Sequence, residues 1–264
     1  MKALIIAAGQ GERFRPLTYR EPKPLIPLLG LRLIERVILS AREAGVNDFV
    51  IVVGYMGGKL MDFLGDGSRY GVKISYVWNK FWRLGNGVSV YEARHDVGDR
   101  FVLLMSDHIF NPKILSTLLK SKLNGDACLL CVDTEMRYVF DFDDATKVKV
   151  VNGLITDIGK NLREFNGVDM GIFLCSRLIF KALDKSIRKG RYSLTDGARI
   201  LAEWGKLEAY PVSGEENYWI DIDTPKNLRI AEEILTNNQR TKLDLDLRLR
   251  HEQSMREYLV IDGS

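Results

Sequence analysis

Cysteine, histidine and proline are scarce in this chain, with 3, 3 and 7 residues among 264. Three cysteines cannot build a disulfide framework. Cys128, Cys131 and Cys175 all lie in apolar runs, ACLLCV and GIFLCS. The first two make a formal C-x-x-C, yet no second pair and no nearby histidine completes a zinc site, so all three read as buried core thiols in a reducing, cytoplasmic setting. Long apolar runs are also missing. The N-terminal MKALIIAAG is too short for a signal h-region or a membrane span, and no other stretch is long enough to cross a bilayer. Charge of one sign is missing too: Lys+Arg 38 against Asp+Glu 35 leaves a net +3. That argues against nucleic acid and fits an anionic small substrate equally well. What remains, 46% hydrophobic and 28% charged, is ordinary for a globular protein and excludes disorder, collagen and coiled coil for the chain as a whole. A chain this long buries a full core, as one large domain or two small ones.

Short apolar runs alternate with helical patterns through the first half. The spacing predicts strands over Ala3–Ala8, Phe49–Val53, Val72–Val77, Phe101–Met105 and Ala127–Val132, near-continuously apolar as strands covered on both faces should be. Leu33, Ile34, Val37, Ile38, Ala41 and Ala44 repeat at helical spacing, with Gly45 as a stop. Asn111-Pro112 caps a second helix carrying Ile114, Leu115, Leu118 and Leu119 on one face. In the second half, Lys147–Val151, Asn152-Gly153 and Leu154–Ile158 read as a hairpin with a primed turn. Val168–Cys175 and Glu208–Val212 are further strands, and Thr224 caps a helix over Pro225–Leu235. The fold class is therefore α/β, a Rossmann-like mixed and mainly parallel sheet with helices on both faces and a β-rich insertion at about 133–175. The core spans 1–235. In the tail, 236–264, leucines at 243, 245, 247 and 249 alternate with charged residues. That pattern suits a peripheral arm, a homodimer arm or a linker to a further domain.

The first strand runs into Ala7-Ala8-Gly9-Gln10-Gly11-Glu12-Arg13, then Pro16-Leu17-Thr18 and Pro22-Lys23-Pro24-Leu25. Glycines let backbone N–H groups approach a phosphate, Arg13 offers a planar fork for its oxygens, and two prolines restrain Lys23. A plain tight turn would also explain Gly9 and Gly11. The string lacks the third glycine of a Rossmann fingerprint and the G-K-[ST] of a P-loop. As a whole, AAGQGERFRPLT followed by PKPLIPL resembles the sugar-nucleotide nucleotidylyltransferases. The resemblance implies that the loop wraps a nucleotide triphosphate, with Arg13 on the β and γ phosphates and Lys23 on the α-phosphate and its leaving group. It further implies Mg²⁺ bridging those phosphates, held by hard oxygen ligands.

Two positions suit that metal. Asp107 follows FVLLMS at the carboxyl end of its strand, where open α/β sheets place ligands. Asp221 and Asp223, in WIDIDTP, fall on one face of an extended segment. The resemblance makes Asp107 and Asp223 the strongest ligands, with Asp221 adjacent; a helix cap or turn is the plain alternative for Asp107 and a turn for Asp223. His108 is expected to orient rather than to act as a base, because an attacking phosphate is already ionised. Gly54-Tyr55 matches the family's turn beside the nucleobase. Asn86-Gly87-Val88-Ser89 matches an element enclosing the nucleotide, with Gly87 keeping a backbone amide open to a base edge and Ser89 otherwise a helix cap.

The insertion carries DATKVKV, then IGK, LREF and VDMG. It resembles the acceptor side of CTP:inositol-1-phosphate cytidylyltransferases over about residues 1 to 235, a group that includes fusions to a membrane phosphotransferase. Lys147, Lys149 and Lys160 are cations for an acceptor phosphate, and Asp169 is an acceptor for inositol hydroxyls. A solvated hairpin face and a strand-end turn are the plain readings of Lys149 and Asp169. The resemblance implies CMP transfer from CTP to inositol-1-phosphate, with a membrane phosphotransferase, fused or separate, as partner. The alternatives are phosphocholine, caged by Tyr138, Phe140, Phe142, Trp78 and Trp82, a sugar-1-phosphate, or a non-catalytic regulatory homologue.

Overall fold

A computed structural model describes residues 1–237. In chain order its elements are β1 (Lys2–Ala7), β2 (Pro27–Leu28), β3 (Leu31–Arg32), α1 (Leu33–Glu43), β4 (Asp48–Val53), α2 (Gly57–Leu64) and β5 (Lys73–Trp78). Then come α3 (Asn86–Glu92), β6 (Arg100–Met105), β7 (His108–Phe110), α4 (Pro112–Leu118), β8 (Cys128–Asp133), β9 (Lys147–Val151), β10 (Leu154–Gly159) and β11 (Gly167–Ser176). The chain finishes with α5 (Leu178–Ile187), α6 (Leu194–Glu203), β12 (Leu207–Val212) and β13 (Trp219–Asp221), followed by helix over 225–237. The tail expected from 236 onward lies outside the described residues except for 236 and 237, which continue that helix. Among the described residues, no helix is long and apolar enough to cross a membrane.

Nine strands form one mixed sheet in the order β5-β4-β1-β6-β11-β8-β12-β10-β9. The pairs β4–β5, β1–β4, β1–β6 and β8–β12 are parallel. Alternate residues of β1 serve opposite cores, as a period of two demands. Ala3, Ile5 and Ala7 pack with α1, α2 and α4, whereas Leu4 and Ile6 pack with α3, α5 and α6. The expected α/β layer and its helical cover are therefore present.

The same period disposes of the C-x-x-C. Cys128 belongs to one core and Cys131 to the other, so the two thiols leave β8 on opposite faces. All three cysteines are buried and free.

Local expectations meet matching chemistry. Asn111 Oδ1 accepts the Lys113 N–H at 2.9 Å to cap α4, and Thr224 Oγ1 accepts the Asn227 N–H at 3.2 Å. Asn152 and Gly153 both adopt positive φ, 51° and 80°, as a primed hairpin turn requires. One expectation is corrected. β11, expected within the insertion, lies at the centre of the sheet, antiparallel to β6 on one side and to β8 on the other. Its run of buried residues is what a central strand needs. What stands apart is the loop over 134–146 and the β9–β10 hairpin, which pairs with both β12 and β11.

Candidate active site

The parallel strands β1 and β6 end side by side, and the loops leaving them carry the charges. After Ala7 the chain turns through Gly11, whose φ of 62° is left-handed. A Cβ there would stand 2.7 Å from the Lys23 Cβ, so only glycine lets this loop lie on the lysine segment. Phe14 is buried below the loop, Thr18 Oγ1 donates to the Gly11 carbonyl at 2.9 Å, and Tyr55 Oη donates to the Thr18 carbonyl at 2.8 Å. Lys23 is thereby held with only 7% of its surface exposed.

On the opposite side, β7 and β13 form a short antiparallel ribbon that places His108 opposite Asp221. The Trp219 indole N–H anchors the ribbon by donating to buried Asp133 at 2.8 Å. The Ile222 N–H donates to the Asp107 carbonyl at 3.1 Å. Two carboxylate-bearing segments distant in sequence are thus joined by backbone.

The resulting charge chain is continuous. Lys23 Nζ donates to Asp107 Oδ2 at 2.5 Å and to Asp223 Oδ1 at 2.6 Å. Arg13 Nη2 pairs with Asp223 Oδ2 at 2.5 Å, and its Nη1 pairs with Asp144, which also holds Lys160. Burial alone would lower the Lys23 pKa, but Asp107, Asp223 and Asp221 outweigh it and push it up. Burial opposes ionisation of Asp223, yet the Lys23 ammonium and then Arg13 hold its carboxyl well below the usual range.

Asp221 fares differently. Burial pushes its carboxyl up to about 7; His108 draws it down, and Asp223 and Asp107 push it further up. Its nearest counter-charge is His108 Nε2, 3.4 Å from Oδ1. The His108 Nδ1–H donates to the Met170 carbonyl at 2.8 Å, which turns Nε2 toward Asp221 and Asp107. Ligand atoms of Asp107, His108 and Asp221 lie within 4.8 Å of one another. Crowded hard oxygens with too few cations fit a divalent ion. Of the expected set, Asp107 and Asp221 come together with His108, while Asp223 stands beside them with its oxygens on Lys23 and Arg13.

Because folding raises the Asp221 pKa, its ionised form costs stability as pH climbs from the ordinary carboxyl range to about 7, and costs nothing below that range. In chelator at neutral pH, Asp221→Asn is therefore expected to raise the melting temperature by a few degrees, about 1–2 kcal/mol. It should also weaken Mn²⁺ binding about ten-fold. A lower melting temperature would mean that Asp221 serves the fold instead.

Two clefts meet at this junction, of about 380 and 440 Å³, and both are lined by Arg13, Asn86, Asp107 and Asp223. The smaller is walled by Ala7, Ala8, Gly9 and Gly11 of the loop, with Lys23 and Ser89. Trp82, set edge-on to Tyr55 with ring centres 5.5 Å apart, also lines it; among the sequence expectations it appears only as a cage aromatic. The larger holds Lys160, Asp169, Ser193, Thr195, Asp221 and, from the loop over 134–146, Tyr138 and Asp144. Burial pushes the Asp169 carboxyl up to about 6, although it accepts the Gly171 N–H at 2.7 Å.

Five expected residues stand elsewhere or do other work. Lys149 pairs with Glu164 at 2.5 Å in a further groove with Asp157 and Arg199, which Lys160 also lines, and is absent from the lining of both clefts. The Lys147 ammonium donates to the carbonyls of Phe142 and Lys160, at 2.6 and 2.7 Å, and so clips the loop to the hairpin. Gly54 lies beneath Trp82, where a Cβ would meet the Trp82 Cβ at 2.7 Å, outside the cleft lining. Gly87 does not open its amide to a base; its N–H donates to the Tyr192 carbonyl at 3.0 Å. Asn86 Oδ1 likewise accepts the Leu194 N–H at 2.8 Å, joining the starts of α3 and α6. The aromatics of the expected choline cage are divided. Tyr138 and Phe140 line the larger cleft, Trp82 the smaller, and Trp78 and Phe142 neither.

Comparison with known proteins agrees with this geometry. The Nucleotidyl transferase family profile matches residues 2–238. A protein from Rubrobacter xylanophilus named bifunctional IPC transferase and DIPP synthase is 37% identical over 235 residues, covering 88% of this chain and 51% of the relative. Its Aquifex aeolicus namesake is 33% identical over 234 residues, with 88% and 51% covered. The chain spans about half the length of these relatives. The solved inositol-1-phosphate CTP transferase from T. maritima superposes with a TM-score of 0.76 at 26% identity, covering 88% of this chain and 94% of that one. With the profile spanning nearly every described residue, this chain belongs to the nucleotidyl transferase family.

Proposed function

We propose that this chain transfers CMP from CTP to inositol-1-phosphate, releasing pyrophosphate. The observation that carries the reading is the junction of two clefts at Arg13, Asp107 and Asp223, which lets two phosphate-bearing ligands meet beside one buried lysine. The names of the relatives and the T. maritima structure supply the choice of cytidine and inositol. A phosphate oxygen of the acceptor attacks the α-phosphorus, a new P–O bond forms, and the bond to the β-phosphate oxygen breaks. No base is needed, because the attacking oxygen is already ionised.

Lys23 sits where charge grows on the α-phosphate and the leaving group, and Arg13 holds the outgoing phosphates. Asp107, Asp221 and Asp223 would hold Mg²⁺, which would supply positive charge to offset that of the phosphates. Lys160 takes the acceptor phosphate and Asp169 accepts from its hydroxyls. Trp82 offers a face for the base. The longer relatives carry two activities in their names, and a phosphotransferase, fused or separate, is the partner this reading implies.

The test is pyrophosphate release across CTP, UTP, GTP, dTTP and ATP against inositol-1-phosphate, phosphocholine and glucose-1-phosphate, with Mg²⁺. Turnover confined to CTP with inositol-1-phosphate is expected. Stronger turnover of another pair would overturn the substrate assignment. In the same assay, Lys160→Met should raise the acceptor KM about ten-fold or more, the cost of a lost charge-assisted contact. Lys149→Met should leave it within two-fold, as expected of a surface pair worth about 1 kcal/mol or less.

A further inference from the structure

The loop over 134–146 places one carboxylate of the larger cleft on a cation that both clefts share. Asp144 Oδ2 accepts from Arg13 Nη1, which lines both clefts, and Asp144 Oδ1 accepts from Lys160 Nζ, which lines the larger one. A phosphate makes the same kind of contact, with oxygens of one anionic group shared between two cations. The side chains of Arg13 and Lys160 are about half exposed, 47% and 51%, so an incoming anion reaches both. Asp144 itself is half-buried, and its own N–H is tied to Asp141 Oδ1 at 3.2 Å, independently of its carboxylate. Lys147 clips the loop through the Phe142 carbonyl at 2.6 Å. The carboxylate is thus presented by a loop held in place by other contacts.

We propose that Asp144 is a positioning residue that stands in for substrate phosphate on Arg13 and Lys160, setting a threshold of affinity that every incoming anion must exceed to displace it. This rests on the reading above that both clefts take phosphates. A lone inorganic phosphate must compete with a tethered carboxylate and gains nothing else. A nucleotide triphosphate or a phosphorylated polyol brings additional contacts in its cleft and wins. Asp144 acts through the two cations, so its removal changes how tightly anions bind more than how fast the bound substrates react.

Calorimetric titration of the 264-residue chain with tripolyphosphate, inositol-1-phosphate and inorganic phosphate tests this, in wild type, Asp144→Asn and Asp144→Glu. Asp144→Asn keeps the size and loses the charge. It is expected to tighten all three ligands by about five-fold, a coupling of ordinary size. It should lower KM rather than raise kcat, and inorganic phosphate should inhibit it at correspondingly lower concentration. Asp144→Glu should return each value toward wild type. If Asp144→Asn folds poorly, Asp144→Ser carries the same expectation. Unchanged or weaker tripolyphosphate binding in the neutral variants would overturn the proposal, even where inositol-1-phosphate is turned over. If tripolyphosphate tightens but inositol-1-phosphate binds neither form, the acceptor assignment fails while the Arg13 half of the proposal stands.

Discussion

Lys23→Met is expected to cut kcat by about a thousand-fold, roughly 4 kcal/mol of transition-state stabilisation, while leaving the sheet folded. Among the described residues the lysine is the one cation that touches both Asp107 and Asp223, and it lines the cleft proposed for the triphosphate. Methionine keeps the length and the packing against Phe14, whose ring centre lies 5.8 Å from Nζ. Only the charge is lost, and the two carboxylates then face each other without it. In chelator this should cost about 1–3 kcal/mol of stability, the usual penalty for a part-buried polar group left unpaired. A divalent cation should restore much of that loss, so the rise in melting temperature on adding Mg²⁺ is expected to be larger in Lys23→Met than in wild type. Initial rates by pyrophosphate release and thermal melts with and without Mg²⁺ check both halves. An unchanged kcat/KM would remove Lys23 from the chemistry.

Gly87→Ala is expected to be among the most disruptive small changes in the molecule. A Cβ at this position would stand 2.7 Å from the Ser193 carbonyl carbon and oxygen and 2.8 Å from the Tyr192 oxygen, all of them backbone. Backbone cannot step aside as a side chain does. The start of α6 is pinned further by Ser193, whose Oγ accepts the Asp196 N–H at 3.1 Å. Forced separation of α3 and α6 should cost about 2–3 kcal/mol, the scale of overpacking in a dense interior. Asn86 on one helix and Thr195 on the other both line the larger cleft, so KM for the acceptor should rise as well. Gly58→Ala is the contrasting control, since a Cβ there meets nothing within 4 Å inside α2. That change should be neutral or stabilising, by up to about 1 kcal/mol. Urea denaturation of the two variants separates the effects. Equal stabilities would mean that the α3–α6 contact yields easily.

The contrast marks where sequence reading succeeds and where it stops. β1, β4, β6 and β8 are legible because strands covered on both faces must be apolar throughout. The caps at Asn111 and Thr224 and the Asn152-Gly153 turn are legible because each is a local hydrogen-bonding or dihedral rule. Arg13, Lys23 and Asp107 stand in strings specific enough to point at phosphate chemistry before any coordinates. The glycines at 54 and 87 are legible as necessary but not for the right reason. A close approach looks the same in sequence whether the neighbour is a nucleotide or another helix. Lys147, Lys149 and Lys160 differ by where the hairpin aims each side chain, and three lysines within fourteen residues carry no sign of that. Asp144 was quoted only as the start of a run. Its role depends on a loop folding back over Arg13, 131 residues away, which no local pattern records. The helices α2, α3, α5 and α6 lie outside the sequence expectations, although α5 and α6 carry apolar stripes longer than that of α4. Ser193 with Asp196 was nonetheless a readable helix start.

The ribbon of β7 and β13 bears on how the molecule is made. Lys23 and Asp223 are separated by 200 residues, and Asp223 stands two residues beyond β13, the last strand of the described residues. During synthesis β1, β4, β5 and β6 can pair while the ribosome is still far from that strand, because their partners are already translated. The loop after β1 then waits with a lysine facing a single carboxylate. A chain halted short of residue 223 would carry Lys23 and Asp107 without the acid that completes the charge chain. Competence arrives with the final stretch of a long-range closure, the slow kind of contact in folding. A product that stops before the ribbon closes therefore carries Lys23 with one of its two carboxylate partners missing.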